Sequence, residues 1–550
     1  TGFPTVQLAL FAPVLVYVVP KATIKWVYRA TFSSEGHAFQ FAMYATIRCL
    51  CRFFGCPSNA TGGGGGGGDA LGGAFSQLQW SGTANHGNYY SLQGLTSDEL
   101  LIAAKGGDWY DGGILIDLHD HTWTPTNGFL NNTWNGTYGG INACNEGLAT
   151  DLDKNQKAQL RVLRALFYYR LLDLFGRVKI VTTPGADAAQ ATRQQVYDFV
   201  ESELLATLGI SAVSASMDLS NSDLGLETNA YRVNRFAAMG LLSKLYLNAE
   251  VYTGTAKYTE AAQAAGYVID SGIYQLCGAG CKVPNLGRRP AVTSDPKDLE
   301  GYAAVFAPNN EGNKEHIWSV MYDEVTNGGM NFAMMGLHYS SQFTWNFDSQ
   351  PWNGYATLEE FYNSYESGDL RKANNFIVGP QLDFGGSAIL DYASDDGNPI
   401  LNYTPQINEL APNSYREAGA RPGKFSFKQF GRGDMDNDYP LVRLGELYLV
   451  RAEGLARAGS DWSLSLPDLN VIRARAGVST MSSVTADQFL AERGREMFQE
   501  ATRRQDLIRF DKWGAAWWEK PVSQAYRELF PIPFDAIQAS GGSLTQNTGY

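Results

Sequence analysis

Paired amphipathic helices constrain the fold of this chain more than any other feature of its sequence. Apolar side chains recur at three- and four-residue steps over residues 231–253, and a second helix is predicted over 258–270 after a short turn. The same arrangement returns over residues 438–458 and 466–476. Two helices joined by so short a connection lie antiparallel. The repeated pairs therefore predict tetratricopeptide-like packing, in which each pair buries its apolar face on the next.

Two further segments are predicted to be helical. Residues 155–175 carry one apolar stripe, and Gly176 follows as a C-terminal stop. Thr485 begins a capping box for a helix over residues 486 to about 504. Together with the helix pairs, these segments predict a mainly α protein.

Residues 273–435 differ from the helical parts. They are rich in Gly, Asn, Pro, Tyr and Trp and show little periodicity. Long loops on a rigid scaffold usually carry function. We therefore expect a helical scaffold over about 71–272 and 436–550 and a loop-rich binding part between them.

The composition indicates a binding surface for sugars and argues against nucleic acid. Aromatic residues make up 13% of the chain, with 12 Trp and 29 Tyr. Aromatic faces suit the apolar C–H faces of sugar rings, although an aromatic-rich core explains the composition equally well. The net charge is −13 and no Lys/Arg run is present, whereas a nucleic-acid binder needs a concentrated basic surface.

The first 70 residues have an uncertain role. The apolar run at residues 8–19 is shorter than the roughly 20 residues of a membrane span. Positive charges, Lys21 and Lys25, follow this run instead of preceding it as they do in a secretory signal. We expect a buried strand or an extended segment there. Seven consecutive glycines at residues 62–68 separate this segment from a single domain over 71–550.

The first candidate binding segment is the run Asp-Trp-Tyr-Asp-Gly-Gly at residues 108–113. It contains Trp109, Tyr110 and Asp111. Aromatic rings flanked by carboxylates and glycines form a stacking platform with acceptors for sugar hydroxyls. The alternative is a structural turn that carries a half-buried Trp.

A second candidate segment covers residues 322–355. Here Trp and Tyr alternate with Asn, Asp and Gly, which fits a sugar cleft better than a core. The alternative is packing of these loops onto the helices. The candidate residues are Tyr322, Asp323, Asn327, Trp345, Trp352, Asn353 and Tyr355.

One acidic pattern could indicate catalysis. Glu496 and Glu500 lie with Arg493 and Arg503 at three- and four-residue steps on one predicted helix. A ladder of salt bridges explains this spacing better than a catalytic carboxylate pair. No catalytic residue is therefore predicted.

A second acidic pattern resembles a calcium loop. Tyr439 and Gly445 stand where such a loop requires Gly and Glu, so we expect no cofactor, with calcium as the open alternative. A polar loop that caps a helix starting near residue 439 explains the pattern better. The alternating acids are Asp434, Asp436 and Asp438.

The six cysteines do not form a metal-binding pattern, because no histidine stands near them at ligand spacing. Structural thiols, free or paired, are expected. Cys277 and Cys281 bracket a Gly-rich triplet, and a disulfide between them is allowed.

Several ordered motifs resemble the SusD/RagB family over roughly residues 95–550. The resemblance implies four tetratricopeptide-like helix pairs with an irregular part that presents the ligand site. The motifs are LRVLRALFYYRLLDLFG (160–176), YRVNRFAAMGLLSKLYLNAEVYTG (231–254), SGIYQL (271–276), DYPLVRLGELYLVRAEGLARAG (438–459), LNVIRARAGV (469–478), LAERGREMFQEATRRQDLIRF (490–510) and FPIPFDAIQASGGSLTQNTGY (530–550).

The resemblance also implies a function. Family members are non-catalytic lipoproteins on the outer face of the outer membrane of Gram-negative bacteria. They bind oligosaccharides and deliver them to a SusC-like TonB-dependent barrel. Members begin, after processing, with a lipid-bearing Cys, whereas position 1 here is Thr, so the lipid anchor is an inference from the family. Two alternatives remain open: peptide binding, as in the RagB-like branch, and a helical glycoside hydrolase.

Overall fold

The computed structural model describes residues 69–550. The apolar run at 8–19 and the glycine run at 62–68 lie outside the described residues. So do Cys49, Cys51 and Cys56.

Helices dominate the described part, as the apolar periodicity predicts. The first nine are α1 Ala70–Trp80, α2 Tyr89–Gly94, α3 Ile114–Asp120, α4 Gly128–Leu148, α5 Lys154–Leu174, α6 Arg193–Leu208, α7 Arg235–Leu247, α8 Ala249–Thr253 and α9 Tyr258–Asp270. Five short helices follow, α10 Tyr302–Val305, α11 Phe332–Gly336, α12 Gln342–Trp345, α13 Glu359–Asn363 and α14 Leu370–Asn375. The last five are α15 Leu444–Gly459, α16 Leu466–Arg475, α17 Ala486–Met497, α18 Arg503–Arg509 and α19 Phe534–Ala539.

The strands are short and form five antiparallel pairs: β1 with β5, β2 with β3, β4 with β10, β6 with β9, and β7 with β8. Most lie in the loop-rich part. Their bounds are β1 Leu100–Leu101, β2 Lys282–Pro284, β3 Asp298–Glu300, β4 His316–Val320, β5 Ala356–Thr357, β6 Phe376–Ile377, β7 Gly379–Pro380, β8 Asn402–Tyr403, β9 Arg421–Pro422 and β10 Tyr439–Arg443.

The long helices pack in a continuous series, which confirms the predicted mainly α scaffold of helix pairs. Helix α1 packs on α4, α4 on α5 and α5 on α6. Helix α6 then contacts α7, α7 packs on α9, α9 on α15, and α15 on α16. Each helix buries its apolar side chains on its neighbours, because an isolated amphipathic helix leaves that face in water.

Two predicted helices keep their positions closely. The helix expected over 155–175 is α5, which ends at Leu174, and Gly176 follows two residues later with a left-handed φ of 70°. The capping box at Thr485 is present, because its hydroxyl accepts from the Gln488 backbone N–H and the Gln488 side chain accepts from the Thr485 N–H. Local sequence is enough to fix such boundaries.

Two other predicted helices need correction. The first residues of the helix expected over 438–458 form strand β10, which pairs with β4, and the helix begins only at Leu444. The helix expected to reach about 504 ends at Met497, and Gln499 and Ala501 adopt left-handed φ angles of 62° and 56°. In both places contacts with distant segments override helical periodicity.

Of the residues predicted as a salt ladder, Glu496 and Glu500 belong to a buried ion network, whereas Arg493 and Arg503 pair with Asp506 and Asp98 instead. The guanidinium of Arg443 contacts the carboxylates of Glu315, Glu496 and Glu500 at 2.6–2.8 Å. Arg371 adds ion pairs to Glu496 and other acids, and its side chain is fully buried. The carboxylates of Glu496 and Glu500 are thus paired with cations inside the protein. Because Arg371 and Glu315 belong to the loop-rich part, these ion pairs connect that part to the helices.

The C-terminal segment closes against the end of α5. The Asn547 side-chain amide donates to the carbonyls of Phe175 and Phe530, both at 2.8 Å. The indole N–H of Trp123 donates to the Tyr550 hydroxyl at 2.9 Å. Asn547 of this C-terminal motif therefore satisfies the Phe175 carbonyl, which the end of α5 leaves without an intrahelical partner.

Within residues 69–550, no helix combines the length and the apolar character that crossing a membrane requires.

Candidate functional site

The loop after β1 holds Trp109 in an unusual backbone conformation. Trp109 and Asp111 have φ angles of 63° and 42°, and the glycines at 112 and 113 follow with φ of 70° and 87°. Consecutive left-handed residues turn the chain sharply outward. As a result Trp109 is half-buried while Tyr110, with 52% of its surface exposed, and Asp111 face solvent.

A second loop presents Trp352, of which 40% is exposed. Its backbone N–H donates to the Met334 carbonyl at 2.6 Å, and the N–H of Asn353 donates to the Leu337 carbonyl at 2.9 Å. These bonds fix the loop to helix α11. The Trp352 carbonyl in turn accepts the indole N–H of Trp109 at 2.6 Å.

The two loops enclose an open pocket of about 450 Å³. It combines indole surface with carboxylates, an amide and a phenol, which is the set of groups that a sugar ring and its hydroxyls require. The lining residues are Asp108, Trp109, Asp111, Tyr339, Gln350, Pro351 and Trp352.

Tyr339, which lines the pocket, and His86, which contacts Trp352, are absent from the sequence-based prediction. The Tyr339 hydroxyl donates to the Asp108 carboxylate at 2.5 Å, and burial together with this carboxylate raises the pKa of Tyr339 well above its usual value. The His86 ring stands edge-on to Trp352 with centroids 5.4 Å apart. His86 accepts from the Asn331 amide at 2.7 Å, and burial lowers the pKa of its imidazole. No sequence motif marks either residue, because tertiary contacts bring them to the pocket.

Three candidate residues lie in the core instead of the pocket. Tyr322 and Tyr355 are 2% and 1% exposed, and the Tyr355 hydroxyl shares a hydrogen bond of 2.7 Å with Ser91. Asn353 is also buried, and its amide donates to the Arg416 carbonyl at 3.0 Å. This burial corresponds to the alternative of loops that pack onto the helices.

Three other candidates lie outside the pocket. The half-buried Trp345 stacks on Phe347 with ring centroids 5.7 Å apart. The Asp323 carboxylate accepts from the backbone and side chain of its own turn, including the Asn327 amide at 2.9 Å. These hydrogen bonds hold the pKa of Asp323 well below its usual range, although burial acts in the opposite direction. Asp323 and Asn327 therefore stabilise the turn that they belong to.

Two of the three acids of the calcium-like pattern, Asp436 and Asp438, have separate partners. Asp436 accepts from the Glu324 N–H at 2.9 Å and pairs with Lys428. Asp438 accepts from the Tyr231 hydroxyl at 2.6 Å, and burial raises its pKa to about 7. No group of three or more acidic, His or Cys side chains between residues 69 and 550 is arranged to hold a metal ion. The prediction that this loop caps a helix starting near residue 439 is wrong, because strand β10 follows the loop.

Cys277 and Cys281 form the disulfide that their spacing allows, with Cα atoms 5.2 Å apart. The backbone N–H of Cys277 donates to the Glu315 carboxylate at 3.1 Å. The disulfide therefore closes a small loop beside the buried ion network. Cys144 is a free buried thiol, and burial raises its pKa above the usual value.

Comparisons with known proteins agree with this architecture. A model of the SusD family matches residues 314–520, and a SusD-like model described as "Starch-binding associating with outer membrane" matches residues 86–247. The starch-binding protein SusD of Bacteroides thetaiotaomicron is 26% identical, over 84% of this chain and 85% of that protein. A SusD-like protein of Bacteroides ovatus is 22% identical over 77% of this chain and 78% of its own length.

Solved structures share the fold. A SusD superfamily protein from Parabacteroides distasonis superposes with a TM-score of 0.65 at 20% identity, covering 88% of this chain and 98% of its own. Surface glycan-binding protein A from Bacteroides thetaiotaomicron, in complex with laminarihexaose, superposes with a TM-score of 0.63 at 19% identity, covering 87% and 98%. The family models, the relatives and the fold together identify this chain as a member of the SusD/RagB family.

Proposed function

We propose that this protein is a non-catalytic glycan-binding protein that captures oligosaccharides at the pocket between Trp109 and Trp352. The observation that carries the proposal is the fixed pairing of two indoles from distant loops beside exposed carboxylates. Packing into the hydrophobic core does not explain the pairing of these two indoles, because both side chains keep solvent-accessible surface.

The chemistry of the pocket fits a sugar ligand. The faces of Trp109 and Trp352 supply apolar surface for the C–H face of a pyranose ring. Asp108, Asp111 and Gln350 supply hydrogen-bonding groups for hydroxyls that stand around the ring edge. Tyr110, which follows Trp109 in the chain, adds an exposed aromatic ring to the same loop. In this proposal stacking contributes most of the affinity and the acids select hydroxyl stereochemistry.

The related proteins support carbohydrate over other ligands. One relative is named as a starch-binding protein, and one structural neighbour contains laminarihexaose. Another structural neighbour is named as a laminarin-binding SusD-like protein. Starch and laminarin are both glucans, so α- and β-linked gluco-oligosaccharides are the first ligands to test.

We further infer that the protein acts at the outer face of the outer membrane and passes its ligand to a SusC-like TonB-dependent barrel. Membership of the SusD/RagB family supports this role, as does a matching family description that includes the outer membrane. A lipid anchor is part of the same inference. Co-purification of the native protein with a barrel protein, followed by its identification by mass spectrometry, tests the partner.

Titration calorimetry tests the ligand. Starch-derived and laminarin-derived oligosaccharides are titrated into the wild-type protein, a Trp109→Ala variant and a Trp352→Ala variant, with a peptide panel alongside. We expect heat with at least one oligosaccharide series and its loss in both variants. Heat from peptides alone would favour the RagB-like alternative and overturn the sugar proposal.

A second measurement addresses the hydrolase alternative. A glycoside hydrolase needs two carboxylates about 5–10 Å apart across the bound sugar. Wild-type protein and an Asp108→Asn variant are incubated with the same oligosaccharides, and the products are separated by chromatography. We expect no shortened products. Turnover that disappears in the variant would replace the binding proposal with catalysis.

A further inference from the structure

Trp80 is the most exposed large apolar side chain in the described part of the chain, with 76% of its surface accessible. It is the last residue of helix α1. A tryptophan left in water forgoes the large gain from burying its ring, so its face is available to a ligand.

Packing of helix α1 does not explain the position of Trp80. The buried side of α1 consists of Leu71, Ala74, Phe75 and Leu78, a stripe at three- and four-residue steps. Because successive residues turn by about 100° around a helix, Trp80 lies about 200° from Leu78. Its ring therefore projects away from the core that the rest of α1 contacts.

Hydrogen bonds tie the end of α1 to the turn that contains Asp323. The side-chain amide of Gln79, next to Trp80, donates to the Met321 carbonyl at 2.7 Å. Six residues later, the Asn85 amide donates to the Gly329 carbonyl at 2.7 Å. The segment after Trp80 therefore runs along the 321–329 turn.

The same segment continues to the proposed sugar pocket. The Asn331 amide donates to the ring of His86 at 2.7 Å, and the His86 ring stands edge-on to Trp352. Trp80, His86 and Trp352 thus follow one another along two loops held together by side-chain hydrogen bonds. Trp80 therefore lies six residues along the chain from His86, whose ring contacts Trp352 of the pocket.

The surroundings of Trp80 fit a sugar better than a protein. Met321 and Val325, in the turn bonded to this end of α1, expose 37% and 75% of their surface, and the Thr326 hydroxyl and the Asn327 amide donate to the Asp323 carboxylate of the same turn. Three exposed apolar side chains are too few for a stable protein interface, which buries about 800 Å² on each partner. Alternating apolar faces and hydrogen-bonding groups match the surface of a carbohydrate chain.

We propose that Trp80 forms a second aromatic subsite, which binds distal units of the same oligosaccharide that occupies the Trp109–Trp352 pocket. This inference rests on the proposed function and adds a preference for chain length. A short oligosaccharide fills the pocket alone. A chain long enough to reach Trp80 gains a second stacking contact at no further cost in overall translational freedom.

Calorimetry against starch-derived and laminarin-derived oligosaccharides of increasing length tests the subsite, with the full chain and three variants. In Trp80→Ala, we expect unchanged affinity for the shortest ligand that binds and about tenfold weaker binding of the longest. Trp80→Phe, which keeps an aromatic face, retains most of the affinity for long chains. Leu455→Ala removes an exposed apolar side chain of helix α15 and serves as the control, with no expected effect at any length.

The outcomes separate this inference from the proposed function. Equal affinity of wild type and Trp80→Ala for every length would overturn the second subsite and leave the pocket intact. An equal loss for short and long chains would also overturn it, because a general disturbance of the pocket has no length dependence. Absence of heat between the wild-type protein and every oligosaccharide would overturn the proposed function and the subsite together. Thermal unfolding of each variant checks that the fold is retained.

Discussion

The indole N–H of Trp109 donates a hydrogen bond of 2.6 Å to the main-chain carbonyl of Trp352, 243 positions later in the chain. This bond joins the two loops that form the pocket. One loop is shaped by left-handed residues and the other is fixed to helix α11 by backbone hydrogen bonds. A ligand that stacks on both indoles therefore meets a preorganised surface, which reduces the entropy lost on binding.

Substitution of Trp109 by Phe separates the ring face from its hydrogen bond. The variant keeps an aromatic surface but loses the donor to the Trp352 carbonyl, a bond worth about 0.5–1.5 kcal/mol. We expect oligosaccharide affinity to fall by roughly three- to tenfold in calorimetry, with little change in Tm. Trp517→Phe is the matched control, because the half-buried Trp517 indole N–H has no protein partner. Wild-type affinity in Trp109→Phe would show that this bond does not position the pocket.

Gly354 leaves room for the Trp109 ring. A Cβ atom at this position would stand 2.9 Å from the ring and 2.9 Å from the Met335 carbonyl oxygen. We expect Gly354→Ala to displace the indole, to destabilise the protein by about 1–3 kcal/mol and to weaken oligosaccharide binding. Urea unfolding and calorimetry measure the two effects. Gly107→Ala, in the same pocket loop but with open space around its Cβ, should change neither.

The buried ion network makes the fold sensitive to the loss of one partner. Arg443→Met leaves the carboxylates of Glu496 and Glu500 short of a cation inside the protein. We expect the free energy of unfolding to fall by about 3–5 kcal/mol in urea titrations. The exposed pair Lys282–Asp298 provides the comparison, and Lys282→Met should cost less than about 1 kcal/mol. Equal effects of the two substitutions would contradict a stabilising role for the network.

Glu99 makes stability depend on pH. Burial raises the pKa of its carboxyl from 4.5 to about 8, although nearby Arg503 acts in the opposite direction. Because the folded state holds this proton more tightly than the unfolded state, the favourable contribution is complete below about pH 4.5 and is lost as pH rises to about 8.

Replacing Glu99 by Gln removes this titration. Relative to wild type, we expect Glu99→Gln to gain about 2–4 kcal/mol of unfolding free energy between pH 5 and pH 8. Denaturant titrations at several pH values measure the difference. Glu146→Gln, at an exposed carboxylate, should follow the wild-type profile. A constant difference between Glu99→Gln and wild type across this range would refute the raised pKa.

Local sequence determined much of the helical scaffold. The apolar stripe of α5, its stop at Gly176 and the capping box at Thr485 depend on residues within a few positions of one another, so periodicity and capping chemistry predict them. The ordered motifs likewise indicated the family, which the matching family models confirm. The aromatic-rich character of the 273–435 region was also evident from sequence, although not which rings face solvent.

Tertiary structure alone decided the rest. Residues 439–443 carry a helical pattern but pair with β4, because strand partners come from distant segments. Trp352 is exposed whereas Tyr355 is buried three positions later, and the difference depends on how the loop is fixed to α11. The pairing of Trp109 with Trp352 and the burial of Glu496 also join residues far apart in the chain. Local patterns cannot encode such contacts, because their energy depends on groups that only folding brings together.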